Sequence, residues 1–168
     1  MQVQIREYRE SDWPQVWPIV EQVIRAGDTF CYDPIQSETS AHELWVAPPP
    51  ARVVVAFDGD DLVGTANMYA NRPGPGSHIA SGNFMVKQTS RGRGVGRALG
   101  SHLLDWARHS GFAGAQFNAV AASNVAAVSM YQSLGFTIVG TVPGAFLHPA
   151  RGPVGLHVMF HDLQRSDV

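Results

Sequence analysis

The stretch that most limits what this chain can become is Arg91-Gly92-Arg93-Gly94-Val95-Gly96-Arg97. An apolar, strand-like segment, Phe84 to Val86, leads into it. After it Val95, Leu99, Leu103 and Trp106 recur at helical spacing. A strand, a glycine-rich turn and a helix form a geometry that holds phosphate. The helix start offers N–H groups with no intrahelical acceptor and a partial positive charge. Glycines remove the side chains that would keep an anion from those groups. Three arginines, at 91, 93 and 97, add complementary charge.

Two familiar phosphate loops do not fit. A P-loop needs four residues between its glycines and then Gly-Lys-Ser/Thr. Here the span from Gly92 to Gly96 is one residue short, and Arg97-Ala98 follows Gly96. A dinucleotide fingerprint beginning at Gly92 and Gly94 needs a third glycine where Arg97 stands. It also needs an acidic residue about 20 positions on, at a strand end, where the chain has Asn118. What remains is Arg-x-x-Gly-x-Gly opening a long helix.

The 168 residues are enough for one domain, 1–168, with a core of its own. A net charge of −2 gives no reason to expect a nucleic-acid partner. The single cysteine, Cys31, excludes an internal disulfide and a cysteine-rich metal site. His157 and His161 lie about 13 Å apart along an extended strand, too far to share an ion, so no metal is assigned. The N-terminus lacks a signal-peptide layout, and no segment approaches the roughly 18 apolar residues of a membrane span. The expectation is a cytoplasmic chain with no membrane partner.

Gln2 to Tyr8 alternates as a first strand. Ser11 is a plausible cap for a helix carrying Val16, Ile19, Val20 and Val23 on one face, with Pro18 expected to kink or restart it. Residues 28–36 form a loop displaying Phe30 and Tyr32. Ser37 or Ser40 caps a short helix through Trp45. Arg52 to Phe57 and Leu62 to Ala70 make a hairpin about Asp58-Gly59-Asp60-Asp61, and the small Gly64-Thr65-Ala66 leaves room beside a neighbour. His78 to Val86 is the fourth strand and Ala113 to Val120 the fifth. Ser123 or Asn124 starts the last helix, which ends at Leu134-Gly135-Phe136. A strand over 136–142, a loop over 143–152 and a strand over 154–160 follow, the last with Val154, Leu156, Val158 and Phe160 on one face. The order β-α-α-β-β-β-α-β-α-β-β predicts an α/β (α+β) fold: a mixed sheet with helices on both faces. The long helix joins its two flanking strands as a parallel crossover.

Arg91-x-x-Gly94-x-Gly96, Asn124-x-x-Ala127-x-x-x-Tyr131 and Leu134-Gly135-Phe136 together resemble the Gcn5-related N-acetyltransferase superfamily. The resemblance covers most of the chain, from Ile5-Arg6 to the last strand. It implies a mostly antiparallel sheet whose central parallel pair splays apart to admit the pantetheine arm of acetyl-coenzyme A. Ser81 and Gly82 are compatible with a bulge at that place. It implies that Arg91, Gly92, Arg93, Gly94, Val95, Gly96 and Arg97 hold the pyrophosphate, and that Asn124, Ala127 and Tyr131 lie beside the pantetheine and thiol. The co-substrate is then acetyl-CoA, the partner a small-molecule amine, and a homodimer through the last strands or the 143–152 loop fits the fold.

The implied reaction needs an unprotonated amine, donors for a developing oxyanion and a group facing the departing thiolate. Backbone N–H groups near Phe84, Met85 and Val86 are the oxyanion candidates. Tyr131 is either the acid facing the thiolate or a core aromatic. Asn124 is an N-cap, a pantetheine partner, or both. Asn118, in an apolar strand, must have its amide paired: either it bonds a neighbouring backbone group, or it grips the acceptor's carboxylate or orients its amine. Phe30 and Tyr32 either overhang the acceptor or staple their loop. Tyr69, His78 and Phe84 complete the expected acceptor pocket, with His78, Glu43 and Asp28 as candidate bases. Gln116-Phe117-Asn118-Ala119-Val120 and the segment from Val139 to Phe146 resemble a narrower branch acting on proline-like cyclic amino acids such as azetidine-2-carboxylate. That branch has Asn-Ala-Gly-Phe where this chain has Ser81-Gly82-Asn83-Phe84, so the amide has moved by two places.

Overall fold

A computed structural model describes residues 3–164. Met1 and Gln2 lie outside the described residues, so the expected start of the first strand at Gln2 does too. The strands are β1 (Val3–Glu7), β2 (Arg52–Asp58), β3 (Asp61–Ala70), β4 (Ile79–Val86), β5 (Gly114–Ala121), β6 (Thr137–His148) and β7 (Gly152–Asp162). The α-helices are α1 (Trp13–Ala26), α2 (Glu38–Trp45), α3 (Val95–His109) and α4 (Val125–Ser133). One seven-stranded sheet runs β1-β2-β3-β4-β5-β7-β6, antiparallel except between β4 and β5.

The helices divide between the faces as the apolar periodicities require. Leu99 and Leu103 of α3 are wholly buried against Val63, Ala66 and Met68, with Val128 and Tyr131 of α4 packed alongside. Val16, Val20 and Val23 of α1 and Ala41 and Trp45 of α2 cover the opposite face with Val53, Val55 and Met85. The small section of β3 makes room for α3 as well as for neighbouring strand β4, whose Met85 carbonyl oxygen would stand 3.1 Å from a β-carbon on Gly64. The same β-carbon would stand 3.0 Å from Val95 Cγ1 and 3.2 Å from Leu99 Cδ1.

Several local expectations change. Ser11 caps nothing. A short 3-10 turn, Glu10–Asp12, precedes α1, and Asp12, 5% exposed, is held by twin 2.8 Å bonds from the Arg6 guanidinium. Arg6 thus pins the start of α1 to β1 and holds the Asp12 carboxyl below the usual carboxylate range. Helix α1 runs through Pro18 without a restart, because its buried face outweighs one lost backbone bond. Ser37, not Ser40, caps α2, its Oγ accepting the Ser40 N–H at 3.2 Å. Strand β6 continues to His148 across Pro143, at the sheet edge where a missing N–H costs no ladder bond. In β7, Met159 is the wholly buried residue, while the face bearing Val154, Leu156, Val158 and Phe160 stays half-buried.

The parallel pair determines the site. Strands β4 and β5 are in register only at Ile79↔Gly114 and Ala80↔Ala115, and beyond them the strands part. No bulge at Ser81 or Gly82 interrupts the β3–β4 register. The irregularity lies in β5, where pairing with β7 shifts between Phe117 and Val120. Gly82 instead permits close packing: a β-carbon there would stand 2.5 Å from both the Asn67 carbonyl oxygen and Leu103 Cδ1.

Candidate active site

The gap opens into a cavity of 650 Å³ that runs from the glycine turn to the loop over 28–36. At one end the turn lines it through Arg91, Gly92, Gly94, Val95, Gly96 and Arg97. Gly92 and Gly94 take φ of 73° and 87°, with open space where a side chain would stand. Gly94 caps α3, and the first intrahelical bond runs from Ala98 N–H to the Gly94 carbonyl. The N–H groups of Val95, Gly96 and Arg97 therefore have no helical acceptor, on residues that line the cavity. Arg93 departs from expectation: its guanidinium pairs with Asp58 at 3.0 Å, and it does not line the cavity.

At mid-sheet the backbone of β4 is exposed to the gap. Lys87 N–H donates to the Val63 carbonyl, and Asn83 N–H to Asn67 Oδ1, both on the β3 side. Alternation along the strand turns the Met85 N–H toward β3 as well, and leaves those of Phe84 and Val86 facing the gap. The oxyanion candidates thus narrow from three groups to two. Tyr131 lies below them among Phe117, Phe136 and Phe84, its ring centroid 4.6, 6.0 and 6.1 Å from theirs. It lines the cavity, and burial pushes its hydroxyl well above the usual tyrosine range. The ring is thus a core aromatic of a residue that also borders the cavity. Asn124 likewise serves as the cap of α4, its Oδ1 accepting the Ala127 N–H at 3.3 Å, while lining the cavity with Ala127.

At the far end Phe30 and Tyr32 stack with centroids 5.5 Å apart and form one wall, while also packing on the α1 core. Burial, with Tyr69 and Cys31 nearby, pushes the Tyr32 hydroxyl up to about 12. Tyr69, Asn83 and Asn118 line the opposite walls. The Asn118 amide is paired with side chains rather than backbone: Gln116 Nε2 donates to its Oδ1 at 2.8 Å, and its Nδ2 donates to Asn71 Oδ1 at 2.6 Å. His78 sits exposed before β4 and does not line the cavity; nor do Glu43 and Asp28. The lining contains no Asp, Glu or His among the described residues, so none of the three candidate bases borders the cavity directly. The described residues also hold no cluster of metal-ligating side chains.

Sequence reasoning passed over Asn67 and noted Asn83 only as an amide displaced by two places from its position in the resembling branch. The signal was present, since two amides stand in apolar strands that form one antiparallel pair. Only the register, Asn67↔Asn83, shows that they meet.

A glycine turn aimed at an anion, a splayed parallel pair and a phenol beneath the gap define an acyltransferase architecture. The chain belongs to the acetyltransferase (GNAT) family, whose sequence model matches residues 4–136. It is 34% identical over 113 residues to the N-acetyltransferase aca1 of Schizosaccharomyces pombe, covering 67% of this chain and 51% of that one. It thus spans about half the length of that relative. A GCN5-related N-acetyltransferase from Kribbella flavida superposes with a TM-score of 0.92 at 49% identity, covering 95% of this chain and 97% of the other. A phosphinothricin acetyltransferase from Sinorhizobium meliloti, in complex with acetyl-CoA, shares the fold with a TM-score of 0.86 at 19% identity, covering 96% and 89%.

Proposed function

We propose that this protein transfers the acetyl group of acetyl-CoA to the amine of a small molecule, an amino acid or cyclic imino acid being the acceptor class that fits best. The observation that carries this reading is one continuous cavity from the unpaired N–H groups of residues 95–97, past the freed N–H groups of Phe84 and Val86, to the neutral polar end at Tyr69, Asn83 and Asn118. The thioester supplies an already activated acyl group, so no protein nucleophile is needed. The turn amides with Arg91 and Arg97 hold the diphosphate, and the Asn124 Nδ2 is left for an amide of the pantetheine arm. Phe84 and Val86 donate to the carbonyl oxygen as negative charge gathers there, a contribution of about 10²–10³ in rate for a single donor of this type.

A phenol held above 10 is a weaker acid than a thiol of about 8.5. Tyr131 therefore stabilises the departing sulfur mainly by donating a hydrogen bond. Amides and hydroxyls, not a cation, receive the acceptor's polar groups. The stacked Phe30 and Tyr32 wall the acceptor end, and an acceptor that fits between them and the amides of Asn83 and Asn118 is the reading proposed. The setting proposed is the cytoplasm, consistent with a lone Cys31 and no disulfide. Pairing of two copies along edge strand β6 is proposed as well, because that strand carries no charged side chain to guard it and exposes Val139, Val142 and Leu147. Sedimentation of the purified chain tests it.

The test of function is thiol release from acetyl-CoA across cyclic imino acids, primary amino acids, aminoglycosides and short peptides. Turnover with the first two groups is expected. Turnover only with peptides or aminoglycosides would refute the acceptor class. CoA binding without thiol release on any amine would make the chain a sensor, not an enzyme.

A further inference from the structure

The acceptor end of the cavity contains a chain of amides whose orientation is dictated by two backbone groups. Asn67 is 2% exposed. Its Nδ2 donates to the Trp45 carbonyl at 3.3 Å, and its Oδ1 receives the backbone N–H of Asn83 at 3.1 Å. A carbonyl only accepts and an N–H only donates, so the Asn67 amide can face one way alone. The same Oδ1 receives Asn83 Nδ2 at 2.9 Å, and that nitrogen also donates to Tyr69 Oη at 3.1 Å. Both hydrogens of the Asn83 amide are thereby spoken for, with the nitrogen turned toward β3. Its Oδ1 accepts no hydrogen bond among the described residues, on a cavity-lining residue immediately before Phe84. Tyr69, already accepting from Asn83, keeps its own proton for an outside acceptor. Across the gap, one N–H of Asn118 is left over after its bond to Asn71. Among the described residues the only cations lining the cavity, Arg91 and Arg97, belong to the phosphate turn.

We propose that Asn83 Oδ1 is the group that orients the acceptor amine: it accepts an N–H of the uncharged amine and turns the nitrogen lone pair toward the thioester carbon. Asn67 is the positioning residue that keeps this oxygen, rather than the amide nitrogen, facing the cavity. The Tyr69 hydroxyl and the spare N–H of Asn118 take an oxygen of the acceptor. This rests on the acetyl-transfer reading above and deepens it. In the step, a C–N bond forms and the C–S bond breaks. The surplus proton on nitrogen leaves to solvent water, and the thiolate takes a proton from solvent while Tyr131 hydrogen-bonds it. A neutral amide cannot serve as the base, and among the described residues no carboxylate or imidazole lines the cavity. The amine therefore enters deprotonated, and the acid limb of the rate profile belongs to the acceptor rather than to the protein.

The test is steady-state thiol release by the wild-type chain, Asn83→Ala and Asn67→Leu. The acceptors are azetidine-2-carboxylate, glycinamide and methylamine, which differ in basicity, the last two lacking a carboxylate. Asn83→Ala is expected to lower kcat/KM tenfold to hundredfold for every acceptor the wild type uses, with KM for acetyl-CoA within twofold. Asn67→Leu, although outside the cavity lining, should lower it in the same pattern. The acid limb should move with the acceptor's own pKa. Unchanged kinetics in Asn83→Ala, a loss confined to azetidine-2-carboxylate, or an acid limb fixed for all acceptors would each overturn the inference while leaving acetyl transfer standing. Failure of the wild type to release thiol with any amine would instead remove acetyl transfer itself, and this inference with it.

Discussion

Replacing Gly94 separates the two properties that the glycine turn combines. Its φ of 87° is a backbone state that L-residues avoid, and nothing stands within 4 Å of a β-carbon built there. Gly94→Ala thus adds strain of roughly 1–2 kcal/mol without a clash. A domain with about 5–15 kcal/mol of stability stays folded under that load. Gly111 is a matched control, left-handed at φ 78° with equally open space, and it does not line the cavity. Gly94→Ala and Gly111→Ala should therefore shift urea denaturation alike. Gly94→Asp adds a carboxylate in the space the diphosphate must enter. At about 5 Å and an effective dielectric of about 20, each unit of like charge costs roughly 3 kcal/mol. That corresponds to about a hundredfold loss of CoA affinity. Calorimetric titration of CoA into the three variants reads the effect directly. If Gly94→Asp bound CoA within threefold of Gly94→Ala, the assignment of this turn to the diphosphate would be wrong.

Three other outcomes are expected. Tyr131→Phe keeps the aromatic packing and removes one hydrogen bond to a charged sulfur, worth about 1.5–3 kcal/mol; kcat should fall roughly 10- to 150-fold at constant CoA affinity, and equal kcat would exclude the role. The Asp12 carboxyl is depressed by Arg6, so its stabilisation is present above the ordinary carboxylate pKa of about 4 and disappears as pH falls through the lower folded value. Asp12→Asn should lower stability at pH 7 and flatten its acid dependence in urea titrations at stepped pH. Gly82→Ala forces a methyl group against the Asn67 carbonyl and Leu103, and a cost of about 1–3 kcal/mol in the same assay is expected.

The elements that were legible in the sequence owe their form to local chemistry. Val95, Leu99 and Leu103 specify both a helix and its buried face. Gly92 and Gly94 specify a turn that only glycine accommodates readily, and Asn124 specifies a cap. None of these depends on what the chain does elsewhere. The expectations that changed concern competition between distant groups. Ser11 was a reasonable cap until Arg6, on another element, claimed Asp12 and set the start of α1. Arg93 resembled its neighbours at 91 and 97 until the β2–β3 turn brought Asp58 within 3.0 Å. His78 carried suitable chemistry at a place that the strand end leaves in solvent.

The amino-acid order alone determined the anion turn, the crossover between β4 and β5 and hence the family, because hydrophobic period and glycine backbone freedom act over a few residues. Tertiary structure alone decided where the sheet parts, which N–H groups face the gap, and which way the amides of Asn67 and Asn83 point. Those outcomes arise from strand register and from donors and acceptors that lie far apart along the chain and become neighbours only when it folds.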